Sequence, residues 1–279
     1  MEINKIYCGD ALELLKTFPD NFVDCCITSP PYWGLRDYGV KGQLGNEPEF
    51  ETFIENLCNI FIEVKRVLKD TGTCFVNLGD TYAGSGGWDN WNEEWQPSKQ
   101  TKHKSVNLEY SKFRNASVPN KCLCMIPERF AIKMIDKGWI LRNKIIWRKP
   151  NQMPSSASDR FTVDFEDIFF FVQEQKYYFE QQFEPYTELL NRWGGTVLET
   201  NGNSEWDKGP GQIIYRNRNM RLNEEGRNMR TVWDINTETN KDEHFATYPE
   251  LLVKRMIKAG CPEKICKCCG KPMVRKNKF

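Results

Sequence analysis

The segment FVDCCITS, residues 22–29, has the apolar character of a buried strand, and Pro30 and Pro31 follow it directly. Neither proline carries a backbone N–H and each fixes φ at about −65°, so a strand ladder cannot continue past Ser29. The chain must leave its sheet there. It carries out a hydroxyl, two carbonyls on a stiffened backbone and the ring of Tyr32, all at the carboxyl end of a strand.

The surrounding pattern says what kind of sheet this is. NKIYCGD reads as a short strand ending at Gly9 and Asp10, and ALELLKTF as a short helix. Residues 49–69 place Phe53, Leu57, Ile60, Phe61, Val64 and Leu68 at helical spacing, and TGTCFVNLGD follows as a strand. PERFAIKMIDKG, with Pro127 near its start and Gly138 at its end, predicts another helix, ahead of the strands WILRNKIIWRK and EDIFFFVQ. Near-continuous apolar strands separated by helices predict an α/β fold with a parallel-type sheet covered on both faces. In such sheets ligands bind beyond the carboxyl ends of the strands, which places Asp10 and Ser29 to Tyr32 on one cleft.

Composition narrows the class. With 279 residues, 39% apolar and 13% aromatic, the chain can bury a sizeable core. No run of 18 apolar residues and no signal-peptide pattern occurs, so a soluble, cytoplasmic location is expected, and the eleven cysteines are read as reduced thiols or metal ligands. Cys25 and Cys26 are read as small core residues. A net charge of +1 excludes a globally basic protein, so any nucleic-acid partner must be drawn by local patches.

Ser29-Pro30-Pro31-Tyr32, together with YCGDALELL at 7–15 and HFATYPELLVKRMIKAGCP at 244–262, resembles the amino-group DNA methyltransferases, in the permuted order that places the catalytic tetrapeptide early. The resemblance covers most of the chain. It implies a Rossmann-like sheet that binds S-adenosylmethionine, with Asp10 and Ala11 on one side of the cofactor and His244, Phe245, Ala246, Thr247 and Pro249 flanking it. It implies catalysis by Ser29, Pro30, Pro31 and Tyr32, double-stranded DNA as partner, and a bacterial or phage modification system as setting. The implied organisation is a catalytic core over residues 1–180, a target-recognition region over 181–240, the cofactor-flanking helix over 241–262 and a zinc-ribbon-like tail over 263–279.

The chemistry fits the residue types. An exocyclic amine is a poor nucleophile because its lone pair is delocalised into the ring. Acceptors aimed at both amino hydrogens favour a tetrahedral nitrogen, and the Ser29 hydroxyl and Pro30 carbonyl can supply them in preorganised form. Tyr32 can stack on a base flipped out of the duplex. Serine at the first position favours cytosine N4 as the target; adenine N6 is the alternative. Residues 213–230 carry Arg216, Arg218, Arg221, Arg227 and Arg230 among asparagines, a composition suited to gripping phosphates and reading base edges, and equally that of a solvated charged surface. Tyr82 to Asn120 and the Gly-rich stretch from Arg192 are expected to be loop, the former a flap over the DNA cleft.

Two departures stand against the family pattern. The glycine-rich turn that cradles the methionine end of the cofactor is missing, and YAGSGG at 82–87 follows the wrong strand. Cys266 and Cys269 have the spacing of half a zinc site. The sheet is therefore expected to be incomplete at its C-terminal side. The isolated chain is expected to be poorly active or inactive, as an incomplete product, a split enzyme completed by a second chain, or a degenerate remnant that binds DNA without catalysis.

Overall fold

The computed structural model describes residues 2–35, 40, 42–84, 117–186, 225–238 and 247–273. The chain divides into a larger unit, 1–180 with 231–279, and a smaller one, 181–230. In the larger unit the order is α1 (Ala11–Lys16), β1 (Val23–Thr28), α2 (Phe50–Val67), β2 (Leu68–Leu78), α3 (Ile126–Asp136), β3 (Ile140–Arg148) and β4 (Phe165–Val172). After the smaller unit's β5 (Phe183–Glu184) and β6 (Arg227–Asn228) come β7 (Val232–Asp234) and α4 (Glu250–Gly260).

Five strands form one sheet in the order β1-β2-β4-β3-β7. β1 runs parallel to β2, and β3 parallel to β7, as the alternating pattern predicts. β4 corrects it: this strand is antiparallel to both β2 and β3, so the sheet is mixed. The link from β3 to β4, residues 149–164, contains no helix to return the chain to the same end, so β4 runs back beside β3. The strand expected at residues 4–10 does not form. Ile3 and Ile6 stand exposed there, and no described strand lies alongside to complete a ladder.

The core sits where α2 and α3 cover one face of the sheet. α2 buries Phe50, Phe53, Leu57, Phe61 and Val64 at helical spacing, and α3 buries Ile126, Phe130 and Met134. Alternation along β4 sends Phe169 and Phe171 into this cluster, where Phe130 meets Phe171 edge-on at 6.1 Å between centroids. Phe170 points to the opposite face and stacks on Phe75 at 4.6 Å. The backbone of α4 closes on that face at Gly260, where an added Cβ would come within 2.4 Å of the Thr73 hydroxyl. The guanidinium of Arg66 on α2 donates to the Leu15 and Phe18 carbonyls at 2.8 and 2.9 Å, fixing the exit of α1 ahead of β1.

At the end of β2, Asp80 acts as the N-terminal cap of α3 across a long sequence separation. Its carboxylate accepts from the backbone N–H groups of Met125 and Ile126 at 2.9 and 3.1 Å, and from Thr81 at 2.8 Å. Beside it, Lys121 donates to the Ala83 carbonyl, Ala83 to Cys122, and Cys124 to Thr81. Residues 85–116, which include the predicted flap with its tryptophans, lie outside the described residues.

Candidate active site

Because β4 is antiparallel, its start lies beside the carboxyl ends of β1 and β2. Register pairs Thr28 with Val76, Leu78 with Asp167, and Trp147 with Glu166. Ser29, Asn77, Lys149, Glu166 and Asp167 are therefore delivered to one end of the sheet by four different strands, and the Pro30-Pro31 turn brings Tyr32 back over it.

Tyr32 is held at three points. Its ring lies against Gly79, where an added Cβ would stand 2.7 Å from a ring carbon. Its carbonyl approaches Gly45 as closely, which accounts for a glycine there at φ +94°. Its hydroxyl has one proton to give, and the Glu166 carboxylate takes it at 2.7 Å; the Asn77 amide oxygen stands further off at 3.2 Å. Asn77 is itself fixed, since its amide nitrogen donates to the Asp167 carbonyl at 3.1 Å. Glu166 is ion-paired to Lys149, which also lies 4.6 Å from the centre of the Trp147 ring. Burial, reinforced by the adjacent Glu166 charge, holds the Tyr32 phenol well above its ordinary pKa, so it stays a proton donor. Trp33 anchors the next residue in the core through an indole bond to the Glu47 carbonyl at 2.8 Å.

Ser29 is exposed, and its hydroxyl donates to Tyr32 at 3.4 Å. Pro30 is half-buried, and no described group donates to its carbonyl. The site thus presents two acceptors with unused capacity, at the place where the strand is cut. Asp167 lies just beneath. Burial pushes its carboxyl up to about 6, while Lys144 at 3.0 Å pulls the other way, and its second oxygen is buried without a partner.

The predicted cofactor residues divide. Asp10 is the exposed N-cap of α1, one oxygen accepting from the Glu13 N–H at 3.0 Å, with Ala11 as the first helical residue. Thr247 is exposed and Pro249 is the buried N-cap of α4. His244, Phe245 and Ala246 lie outside the described residues. Between Thr247 and Pro249, Tyr248 was missed by the sequence reading. Its hydroxyl is buried beside Ser29 with no hydrogen bond of ordinary geometry among the described residues, and burial raises its pKa while the nearby Ser29 hydroxyl pulls the other way. An orphaned polar atom in that place fits the polar end of a bound methyl donor.

Of the predicted DNA contacts, Arg216, Arg218 and Arg221 lie outside the described residues. In the smaller unit, Arg227 and Arg230 both donate to Glu184 Oε1, at 2.8 and 2.6 Å. The Cys266 and Cys269 segment forms a tight hairpin, with Cys266 and Lys271 paired at 2.9 Å and Gly270 turning at φ +66°. The Cys269 and Cys268 N–H groups lower the Cys266 pKa by hydrogen bonding its sulfur. Among the described residues no group of three or more His, Cys, Asp or Glu is placed to hold a metal ion. Cys26 is paired in register with the buried Cys74, and Thr73 donates to the Cys25 sulfur at 3.3 Å, so both cysteines of β1 pack against β2.

A mixed sheet that delivers a Ser-Pro-Pro-Tyr turn and a fixed carboxylate to one end defines an α/β methyltransferase of the amino-directed class. The family model described as DNA methylase, N6_N4_Mtase, matches residues 23–265. The chain belongs to that SAM-dependent DNA methyltransferase family. It is 34% identical over 256 residues to the Type II methyltransferase M.SmaI of Serratia marcescens, covering 92% of this chain and 75% of the relative. It is 36% identical over 263 residues to the Type II methyltransferase M.Cfr9I of Citrobacter freundii, covering 93% and 74%. The solved PvuII DNA methyltransferase, described as cytosine-N4-specific, shares the fold at a TM-score of 0.51 and 15% identity, covering 93% of this chain and 71% of that one. Among the described residues no helix is long and apolar enough to cross a membrane.

Proposed function

We propose that the chain methylates the N4 amine of a flipped cytosine in double-stranded DNA. The observation that carries this reading is the exposed Ser29 hydroxyl beside the unpartnered Pro30 carbonyl at the end of β1. Two acceptors there can each take one amino hydrogen, freeing the nitrogen lone pair for attack. Tyr32, its ring set by Gly79 and its hydroxyl by Glu166, supplies a fixed surface for the base, and the cost of flipping is a few kcal/mol. Asp10, Ala11, Thr247 and Tyr248, with the neighbouring 244–249 segment, would hold S-adenosylmethionine, which supplies an electrophilic methyl group when bound. Serine rather than aspartate at position 29 supports cytosine over adenine through the family resemblance. The region 181–240, with five arginines clustered between 213 and 230, is proposed to read the target sequence. The outer edge of β1, whose residues are all half-buried, is proposed to pair with a further strand of this or a second chain.

The test is methyl transfer from labelled S-adenosylmethionine to duplex DNA, followed by digestion to nucleosides. N4-methylcytosine is expected in trace or greater amount and should vanish with Ser29→Ala; N6-methyladenine alone would overturn the choice of base. Zinc at Cys266 and Cys269 is part of the same proposal. Metal analysis should show bound zinc that is lost in Cys269→Ser.

A further inference from the structure

Methylation of an amine leaves a problem that the two acceptors alone do not solve. As the nitrogen gains its methyl group it becomes cationic and must shed one N–H proton. Ser29 is a hydroxyl, and a hydroxyl is not a base able to keep that proton. Behind Ser29, however, the hydrogen bonds run in one direction: Ser29 donates to Tyr32 at 3.4 Å and Tyr32 donates to Glu166 at 2.7 Å. The line begins at an exposed oxygen and ends at a carboxylate.

Resting on the active-site reading above, we propose that Glu166 is the terminal proton acceptor of a Ser29–Tyr32–Glu166 relay. The proton on the methylated amine passes to the Ser29 oxygen, the Ser29 proton to the Tyr32 oxygen, and the Tyr32 proton to Glu166 Oε2. The carboxylate becomes a neutral acid and later releases the proton to solvent. Each hydroxyl gives one proton and takes one, so neither bears a lasting charge. In the resting state the same chain acts in the same direction as polarisation: the carboxylate draws the Tyr32 and Ser29 protons toward itself, leaving the Ser29 oxygen a stronger acceptor for the amine. The long first link is of the kind that tightens when substrate is in place.

The charged and titratable groups facing Glu166 support its role. Lys149, after β3, is ion-paired to it in a half-buried setting and holds the carboxylate in place. Tyr32 and Tyr248 face it from the ends of β1 and α4, and both phenols are held protonated by burial. Asn77 adds a neutral contact to Tyr32 only.

Two measurements test the relay. In protein carrying carbon-13 at glutamate carboxyls, the Glu166 signal, assigned by its loss in Glu166→Gln, should shift in both Tyr32→Phe and Ser29→Ala without cofactor present. A signal that ignores Ser29→Ala overturns the relay. Single-turnover methyl transfer should be slower by about 100-fold in Glu166→Gln. Binding of DNA bearing a fluorescent base at the target should be unchanged in Glu166→Gln, since glutamine still accepts from Tyr32. If Ser29→Ala is impaired while Glu166→Gln keeps the wild-type rate, the relay fails and the site reading stands. If wild-type protein transfers no methyl group at all, both fail together.

Discussion

β1 and β4 are strands of similar apolar character, two places apart in one sheet, and their surroundings differ sharply. β4 is paired on both sides, and every residue from Asp167 to Val172 is buried. Among the described residues β1 is paired on one side, and all six of its residues are half-buried. Position in the sheet, rather than composition, sets how firmly each is held. The division suits the chemistry, because the edge strand leads into the exposed Ser29 while the interior strand carries Glu166 as its second residue, which steadies Tyr32 from a fixed base.

The strongest way to break that contrast is to truncate equivalent side chains. Phe171→Ala should cost about 3–5 kcal/mol, and Ile27→Ala in β1 roughly half that, because only a wholly enclosed residue leaves a full cavity. Denaturant midpoints for the two variants would show it, and equal losses would erase the distinction. Next in size is a pH effect at the start of β4. Burial raises the Asp167 carboxyl from 3.8 to about 6, so the folded state binds this proton more tightly than the unfolded chain. Its contribution is greatest below about pH 4 and is lost as pH rises through about 6, by up to about 3 kcal/mol. Asp167→Asn should flatten stability between pH 4 and 7, and a slope that persists would place its origin elsewhere.

A smaller change sharpens the contrast at the site itself. Gly79→Ala forces a methyl group against the Tyr32 ring and should cost about 1–3 kcal/mol, while shifting the near-ultraviolet dichroism of the tyrosine. Smallest of all, Lys121→Ala removes an ion pair to Asp159 whose side chains are 81% and 53% exposed, and the melting midpoint should stay where it is in the unaltered protein.

The sequence was legible where one local rule decides the outcome. Helical spacing identified the buried face of α2, and Pro30 with Pro31 marked the point where β1 stops. Ile60 was misjudged only in degree, since it packs at the margin of the core rather than within it. Direction was not legible: nothing in the apolar run of β4 distinguishes parallel from antiparallel, and the missing crossover helix was the available sign. For the same reason Glu166 and Lys149 escaped notice. Once β4 reverses, its first residues join the carboxyl ends of β1 and β2, and the Glu166-Asp167 pair near the start of an otherwise apolar strand becomes conspicuous. Tyr248 lay within a quoted motif but was passed over, because a buried hydroxyl lacking a partner can be seen only in three dimensions.

The clasp around Asp80 has a consequence for how this protein can change over generations. By tying the end of β2 to the first turn of α3, it fixes both doorposts of the excursion through residues 85–116. Doubling the length of chain between two anchored ends adds only about 0.6 kcal/mol of closure cost. Lineages can therefore lengthen, trim or rewrite that excursion while the sheet beneath keeps its register, provided the aspartate at the threshold is retained.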